Sequence, residues 1–137
     1  MAKNIFFALT EPPIVKPENY LYILLTILFT VYGQLAIKWR IPKFGALPEY
    51  PFEKLRFLIS LLFDPIVFSG VIAAFLASLA WMAAMTKFEL SYAYPFMSLN
   101  FVAVLLLSGW LLNEPLTSHR ILGVGLIILG TVIAARG

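Results

Sequence analysis

SYAYPFMSLNFVAVLLLSGWLL, residues 91–112, contains no Asp, Glu, Lys or Arg. Crossing roughly 30 Å of hydrocarbon takes about 20 helical residues, within a range of about 17–25, so this stretch is long enough to span a bilayer. Lipid offers no hydrogen bonds to the main chain. A single crossing segment must therefore satisfy its own amides and carbonyls, which only a helix does. Three further stretches are built the same way: residues 20–38, 65–86 and 118–136. Asn19 offers an N-cap for the first of them, and Asp64-Pro65 offers a cap followed by proline at N1 for the second. Between their flanking charges none of the four carries Asp, Glu, Lys or Arg. The expected fold is an all-α membrane protein: one four-helix transmembrane domain over residues 1–137.

Composition agrees with that reading. The 137 residues are 61% hydrophobic and 12% charged, with mean hydropathy +0.91. A soluble domain is about half apolar and a quarter charged, so water could not cover this much apolar surface. The chain has no cysteine, which excludes a disulfide scaffold, a thiolate metal site and a cysteine nucleophile. Its one histidine, His119, sits beside Arg120 in a loop and reads as a cap or interface residue rather than a catalytic base. A net charge of +3, with the basic residues flanking apolar runs, points to anionic lipid and not to nucleic acid. No hydrolase, transferase or metal constellation is present and no phosphate-cradling glycine loop, so neither enzyme activity, a cofactor nor a metal is expected.

The connections add detail. Residues 1–18 read as an interfacial lead-in stiffened by Pro12, Pro13 and Pro17; the short apolar run Ile5 to Leu9 does not make a signal peptide. The one long loop follows the first span. Within it, residues 51–63 are too short to cross, and Glu53, Arg56, Ser60 and Asp64 form one polar stripe with Phe52, Leu55, Ile59 and Leu62 elsewhere. That pattern predicts a short interfacial amphipathic helix between the first two transmembrane helices. Loops one and three carry six basic residues against four on the opposite side, which leans toward a cytoplasmic first loop. Four helices cannot enclose a sizeable polar cavity and still pack, so transport implies a dimer. On the fourth helix Gly123, Ile127, Gly130 and Ala134 fall on one face, a small-residue seam suited to close helix approach between copies or within one.

Polar residues inside the spans are few, and each has a bland reading beside a functional one. Gln34 and Lys38 are four apart on one face of the first helix. Lys38 suits an interfacial anchor, while Gln34 lies about one turn deeper and serves either packing or substrate. Pro95 removes a backbone hydrogen bond and so predicts a kink. Tyr94 and Ser98 share a face, and Asn100 falls near mid-span, where an unpaired amide costs several kcal/mol by transfer estimates. These residues suit either a polar cavity wall or a helix–helix hydrogen-bond knot. Glu114 ends the third helix as a solvated carboxylate, a cap for the fourth helix, or a partner for a cationic substrate.

Gly33-Gln34-Leu35 with Lys38, Ala93-Tyr94-Pro95 with Ser98-Leu99-Asn100-Phe101-Val102, Glu114-Pro115, and the Gly123 to Gly130 segment together resemble the four-helix, EamA-like members of the drug/metabolite transporter superfamily. Within it they are most similar to the small subunits of the aminoarabinose–phosphoundecaprenol flippase. The resemblance implies a multi-pass protein of a bacterial inner membrane that carries a polyprenyl-phosphate-linked sugar. It also implies work as a homodimer or as a heterodimer with a related four-helix subunit. It puts substrate roles on Gln34, Lys38, Tyr94, Ser98, Asn100 and Glu114. On one side of the bilayer Lys38, Arg40, Lys43, Lys54 and Arg56 cluster where a lipid phosphate would sit. The small multidrug resistance family is a more distant likeness. Its essential glutamate falls at Thr30 here, which leaves export of cationic compounds dependent on Glu114. A third reading is a non-transport partner of a membrane glycosyltransferase.

Overall fold

The computed structural model describes residues 16–137; the expected lead-in lies outside it except for its last residues, where Pro17–Asn19 form a 3-10 turn. Helix α1, Tyr20–Arg40, outruns the expected first span and continues into a second 3-10 turn, Ile41–Phe44. Stacking at i, i+4 explains the extension. The Lys43 ammonium lies 4.2 Å from the Trp39 ring centre, and the Arg40 guanidinium 5.6 Å from that of Phe44. Asn19 keeps helical dihedrals and makes no cap hydrogen bond, because the preceding 3-10 turn already runs into α1.

Helix α2, Pro51–Leu61, buries only Leu61. Phe52, Leu55 and Leu58 project from it uncovered, as expected of a helix lying among lipid headgroups. It stops short of the expected residue 63. There the amides of Leu62, Phe63 and Asp64 turn back to the carbonyls of Ile59, Ser60 and Leu61. The turn takes Asp64 out of the polar stripe and delivers it to the next helix.

Helix α3, Pro65–Met85, is capped by the Asp64 carboxylate, which accepts from the amides of Ile66 and Val67 at 3.2 and 3.1 Å. The same carboxylate accepts from Arg40 Nε at 3.0 Å, and its side chain is only 6% exposed. Burial by itself raises the Asp64 carboxyl. The Val67 amide, the Arg40 guanidinium and the Ile66 amide outweigh that and hold it below the ordinary carboxylate value. One side chain thus caps α3 and ties its start to the end of α1.

The third span is not one helix. It divides into α4, Leu90–Met97, and α5, Leu99–Leu111, with Ser98 between them. Downstream of Pro95 the bonding tightens to i→i+3: the Ser98 amide donates to Pro95 and the Phe101 amide to Ser98. The chain then turns at Asn113, whose φ of 54° is left-handed, a region asparagine tolerates. Helix α6, Ser118–Arg136, is capped by Thr117, whose hydroxyl accepts from the Arg120 amide. Glu114 therefore does not cap it.

Pro17–Phe44, Pro65–Met85, Leu90–Leu111 and Ser118–Arg136 are each long and apolar enough to cross a bilayer. The fold is an all-α membrane protein with four transmembrane segments and α2 as the short interfacial helix. Helices α1 and α3 pack antiparallel along their length. Their backbones meet at Gly33 and Gly70, where a Cβ on Gly33 would lie 2.8 Å from the Gly70 carbonyl oxygen. The tightest core lies at the Tyr20 end, where Ile23, Ala84, Phe88 and Ala93 are buried and the hydroxyls of Tyr20 and Tyr92 meet at 2.8 Å. Helix α6 is held loosely: its one buried residue is Thr131.

Candidate functional site: an open groove between four helices

With α1 and α3 closed against each other and α6 standing away, a cavity of about 1240 Å³ opens between α1, α3, α4–α5 and α6. It is a wide groove rather than an enclosed chamber. Apolar side chains make most of its wall, and polar groups enter at a few places.

The break between α4 and α5 supplies one of them. Pro95 cannot donate, and its own carbonyl collects three donors: the Ser98 amide, the Ser98 hydroxyl and the Thr131 hydroxyl at 3.2 Å. The single Thr131 proton is shared between Pro95 and the Ile127 carbonyl at 2.8 Å, and its oxygen touches the Ser98 hydroxyl. Ser98 thus lines the groove and belongs to a hydrogen-bond knot as well. The knot joins α4–α5 to α6.

Asn100, near the middle of the third span, is different. It lines the groove, yet its Oδ1 is buried and bonded to nothing. A buried amide oxygen without a donor costs about 1–3 kcal/mol. Gln34 lines the same groove from α1, exposed to it. Tyr94 lines the groove on the other side of the Ser98 break. It is 65% exposed, with its ring edge-on to Trp81 at 6.2 Å between centres.

Glu114 and Arg120 mark the mouth. The left-handed turn at Asn113 lets the Glu114 amide reach back to the Ser108 carbonyl at 3.3 Å, which fixes where the carboxylate emerges. From α1 the Lys38 ammonium stands 3.9 Å from it; Lys38 itself is on the rim, outside the lining. Arg120 lines the groove and donates from Nη1 to the Pro115 carbonyl at 3.1 Å.

Five of the six residues given substrate roles, Gln34, Tyr94, Ser98, Asn100 and Glu114, therefore share one groove, and the sixth stands at its rim. The basic cluster is more dispersed. Arg40 is engaged by Asp64, Lys43 lies over Trp39, and Lys54 and Arg56 sit on α2; none of the four lines the groove. The small-residue face of α6 is divided. Gly123 and Ile127 line the groove, whereas Gly130 and Ala134 are exposed. Arg120, Thr131 and Gly70 carry no site role in the sequence reading, and Gly33 enters it only within the family motif. A hydroxyl in an apolar span could have flagged Thr131, and an arginine within the first turn of a span Arg120. The glycine crossing has no local signature.

An open, mostly apolar groove with a few polar groups along it and charges at one mouth suits a membrane carrier, and the chain belongs to the EamA-like transporter family, whose model matches residues 51–136. Among curated proteins it is similar to the "Probable 4-amino-4-deoxy-L-arabinose-phosphoundecaprenol flippase subunit ArnF" of Aeromonas salmonicida, with 34% identity over 92% of this chain and 83% of the relative. It is also similar to the subunit ArnE of the same name in Serratia proteamaculans, 34% identical over 84% of this chain and 93% of that one. An "Uncharacterized transporter" of Archaeoglobus fulgidus is 34% identical over 80% of this chain but only 41% of its own length. No solved structure matches.

Proposed function

We propose that this chain is a flippase subunit that carries a polyprenyl-phosphate-linked sugar across a bacterial inner membrane, acts without catalysing a chemical change, and works as a homodimer or with a related four-helix subunit. The groove supports this reading above all: it is open rather than enclosed, so a polar head can occupy it while a polyprenyl tail stays in lipid. Gln34, Tyr94, Ser98 and Asn100 offer the head hydrogen bonds along the groove. Lys38, Lys54 and Arg56 gather the phosphate at the surface, each basic residue contributing on the order of 1 kcal/mol near anionic lipid. The similarity to two flippase subunits over most of the chain points the same way.

The open side also supports the dimer. Four helices leave the groove walled on part of its circumference, and the exposed Gly130 and Ala134 face of α6 allows a second copy to approach closely. The test is reconstitution into vesicles with a fluorescently marked short-chain polyprenyl-phosphate sugar in one leaflet. Protein-dependent appearance of the lipid in the other leaflet, lost in Asn100→Leu, is the expected result. Vesicles in which the lipid crosses no faster than in empty ones refute it.

A second reading, export of a cationic compound, draws on Glu114, the single acid among the described residues that line the groove. It requires proton release on substrate binding that disappears in Glu114→Gln.

A further inference from the structure

Where the third span breaks, four oxygens from two helices crowd together. The Pro95 carbonyl and the Ser98 hydroxyl belong to the α4–α5 side of the break, the Ile127 carbonyl and the Thr131 hydroxyl to α6. Four close oxygen–oxygen approaches join them: Ser98 to Pro95, Ser98 to Thr131, Thr131 to Pro95 at 3.2 Å and Thr131 to Ile127 at 2.8 Å. A hydroxyl carries a single proton, so two protons serve four approaches, and two of the four have none of their own. The Ser98 amide adds a donor to Pro95 alone. Two residues further along, the buried Asn100 oxygen has no donor at all. The break is rich in lone pairs and short of protons.

An excess of neutral acceptors is what a small cation needs. Carbonyl oxygens replace an ion's hydration shell in potassium-channel filters, and carriers hold Na+ on carbonyls freed where a transmembrane helix is interrupted. Pro95 stands in the last turn of α4, where helix carbonyls lose their usual partners and the negative end of the helix dipole lies. Residues 20–38, 65–86, 91–112 and 118–136 contain no Asp or Glu, so within the spans any bound ion is held by neutral oxygens. A neutral shell suits one positive charge rather than two. Spacing sets the size. Oxygens around an ion stand roughly 1.4 times the ion–oxygen distance apart, so bonds of about 2.3–2.6 Å, the Ca2+ range, go with spacings of about 3.2–3.7 Å. Na+ has nearly the radius of Ca2+. The 2.8 and 3.2 Å spacings at Thr131 reach that range by opening a few tenths of an ångström, whereas the larger K+ needs considerably more.

We infer that the Pro95 and Ile127 carbonyls and the Ser98 and Thr131 hydroxyls form a site for a monovalent cation of the size of Na+. Ser98 and Ile127 line the groove, so the shell is completed from that side by water or by an oxygen of the cargo. Binding exchanges the hydroxyl bonds of the knot for ion contacts, and the ion then joins α4–α5 to α6. The site does not depend on what the groove carries, because its ligands belong to the chain itself.

Heat unfolding of the full-length protein in a non-ionic detergent, followed by tryptophan fluorescence, tests this. Ionic strength is held constant while NaCl replaces choline chloride or KCl. At ten times its dissociation constant Na+ should multiply the folded-to-unfolded ratio about elevenfold, a saturable rise in the midpoint that K+ and choline do not produce. Thr131→Val, which keeps the shape and removes the hydroxyl, and Ser98→Ala should each abolish the Na+-dependent rise whatever they do to the baseline, and Thr131→Ser should keep it. Ser78→Ala is the control, a groove hydroxyl bonded within its own helix, and should keep the full rise. Saturable binding of radioactive Na+ to wild type, displaced by unlabelled NaCl and not by KCl, needs no variant to fold. Equal midpoints in the three salts overturn the inference, and so does an Na+ response that survives in both Thr131→Val and Ser98→Ala. Equal responses to Na+ and K+ overturn the assignment of size.

Discussion

Adding one methyl group at Gly33 tests the packing that creates the groove. In Gly33→Ala the new Cβ falls 2.8 Å from the Gly70 carbonyl oxygen, about 0.6 Å short of the 3.4 Å at which ordinary contact begins. The obstacle is backbone, so no rotamer change relieves it; α1 and α3 must separate. Overpacking of this kind costs about 1–3 kcal/mol. In water the gain in helix propensity, about 1 kcal/mol for Gly to Ala, would offset part of that. Unfolding by SDS from a mild micelle removes this offset, because the helices persist in the unfolded state and only their packing is lost. The control is Gly125→Ala on α6, where a Cβ meets nothing within 4 Å and the change should stay within about 0.5 kcal/mol. The transition can be followed by the fluorescence of Trp39, Trp81 and Trp110. Gly33→Ala should unfold at a clearly lower SDS fraction than wild type, and Gly125→Ala at nearly the same one. Coincident transitions for the two variants would refute a close α1–α3 crossing at Gly33.

Three other outcomes follow from the same geometry. Asn100→Leu removes a buried oxygen without a donor, so it should raise resistance to SDS by about 1–3 kcal/mol while abolishing lipid movement in vesicles; loss of both stability and transport would make Asn100 structural. The Asp64 carboxyl is held below its ordinary value, so its stabilising contribution is complete above the unfolded Asp pKa and fades as pH falls through the lower folded value. Acid unfolding of Asp64→Asn should accordingly be flatter than that of wild type over that low-pH window, and parallel curves would contradict the assignment. Gly130→Ile places a bulky side chain on an exposed helix face. It should leave the monomer's unfolding unchanged and shift cross-linked dimer to monomer, whereas a lowered monomer stability with dimer intact would place that face inside the protomer.

The four spans were legible because lipid imposes a one-dimensional rule: an uncharged run of the right length has few alternatives. The α3 cap was equally readable, since Asp64-Pro65 satisfies the same local geometry in any context. Local chemistry misled at Asn19, where the extended lead needed for capping is replaced by a 3-10 turn. The division at Ser98 was half visible. Proline announces lost bonding, but the position of the break depends on Thr131 arriving from another helix to share the Pro95 carbonyl. Arg40 illustrates the same limit, because nothing local distinguishes a lipid-facing arginine from one that a carboxylate 24 residues later engages.

The unequal packing of the bundle ties these observations together. Two interactions that fix the fold join α1 to α3, the glycine crossing and the Arg40–Asp64 pair, while the aromatic cluster around Tyr20, Phe88 and Tyr92 ties the start of α4 to α1. The α4–α5 unit and α6 are joined to each other by a hydroxyl knot at a helix break, and beyond the packed Tyr20 end they face α3 across the groove. A carrier needs one part that stays fixed and another that can move, and shearing a helix past a break disturbs fewer contacts than separating two helices packed backbone to backbone. Motion that admits and releases a head should therefore pivot near Ser98, with α1 and α3 as the stationary wall. On that account the unpaired Asn100 oxygen, two residues beyond the pivot, is the group whose surroundings change most as the groove fills.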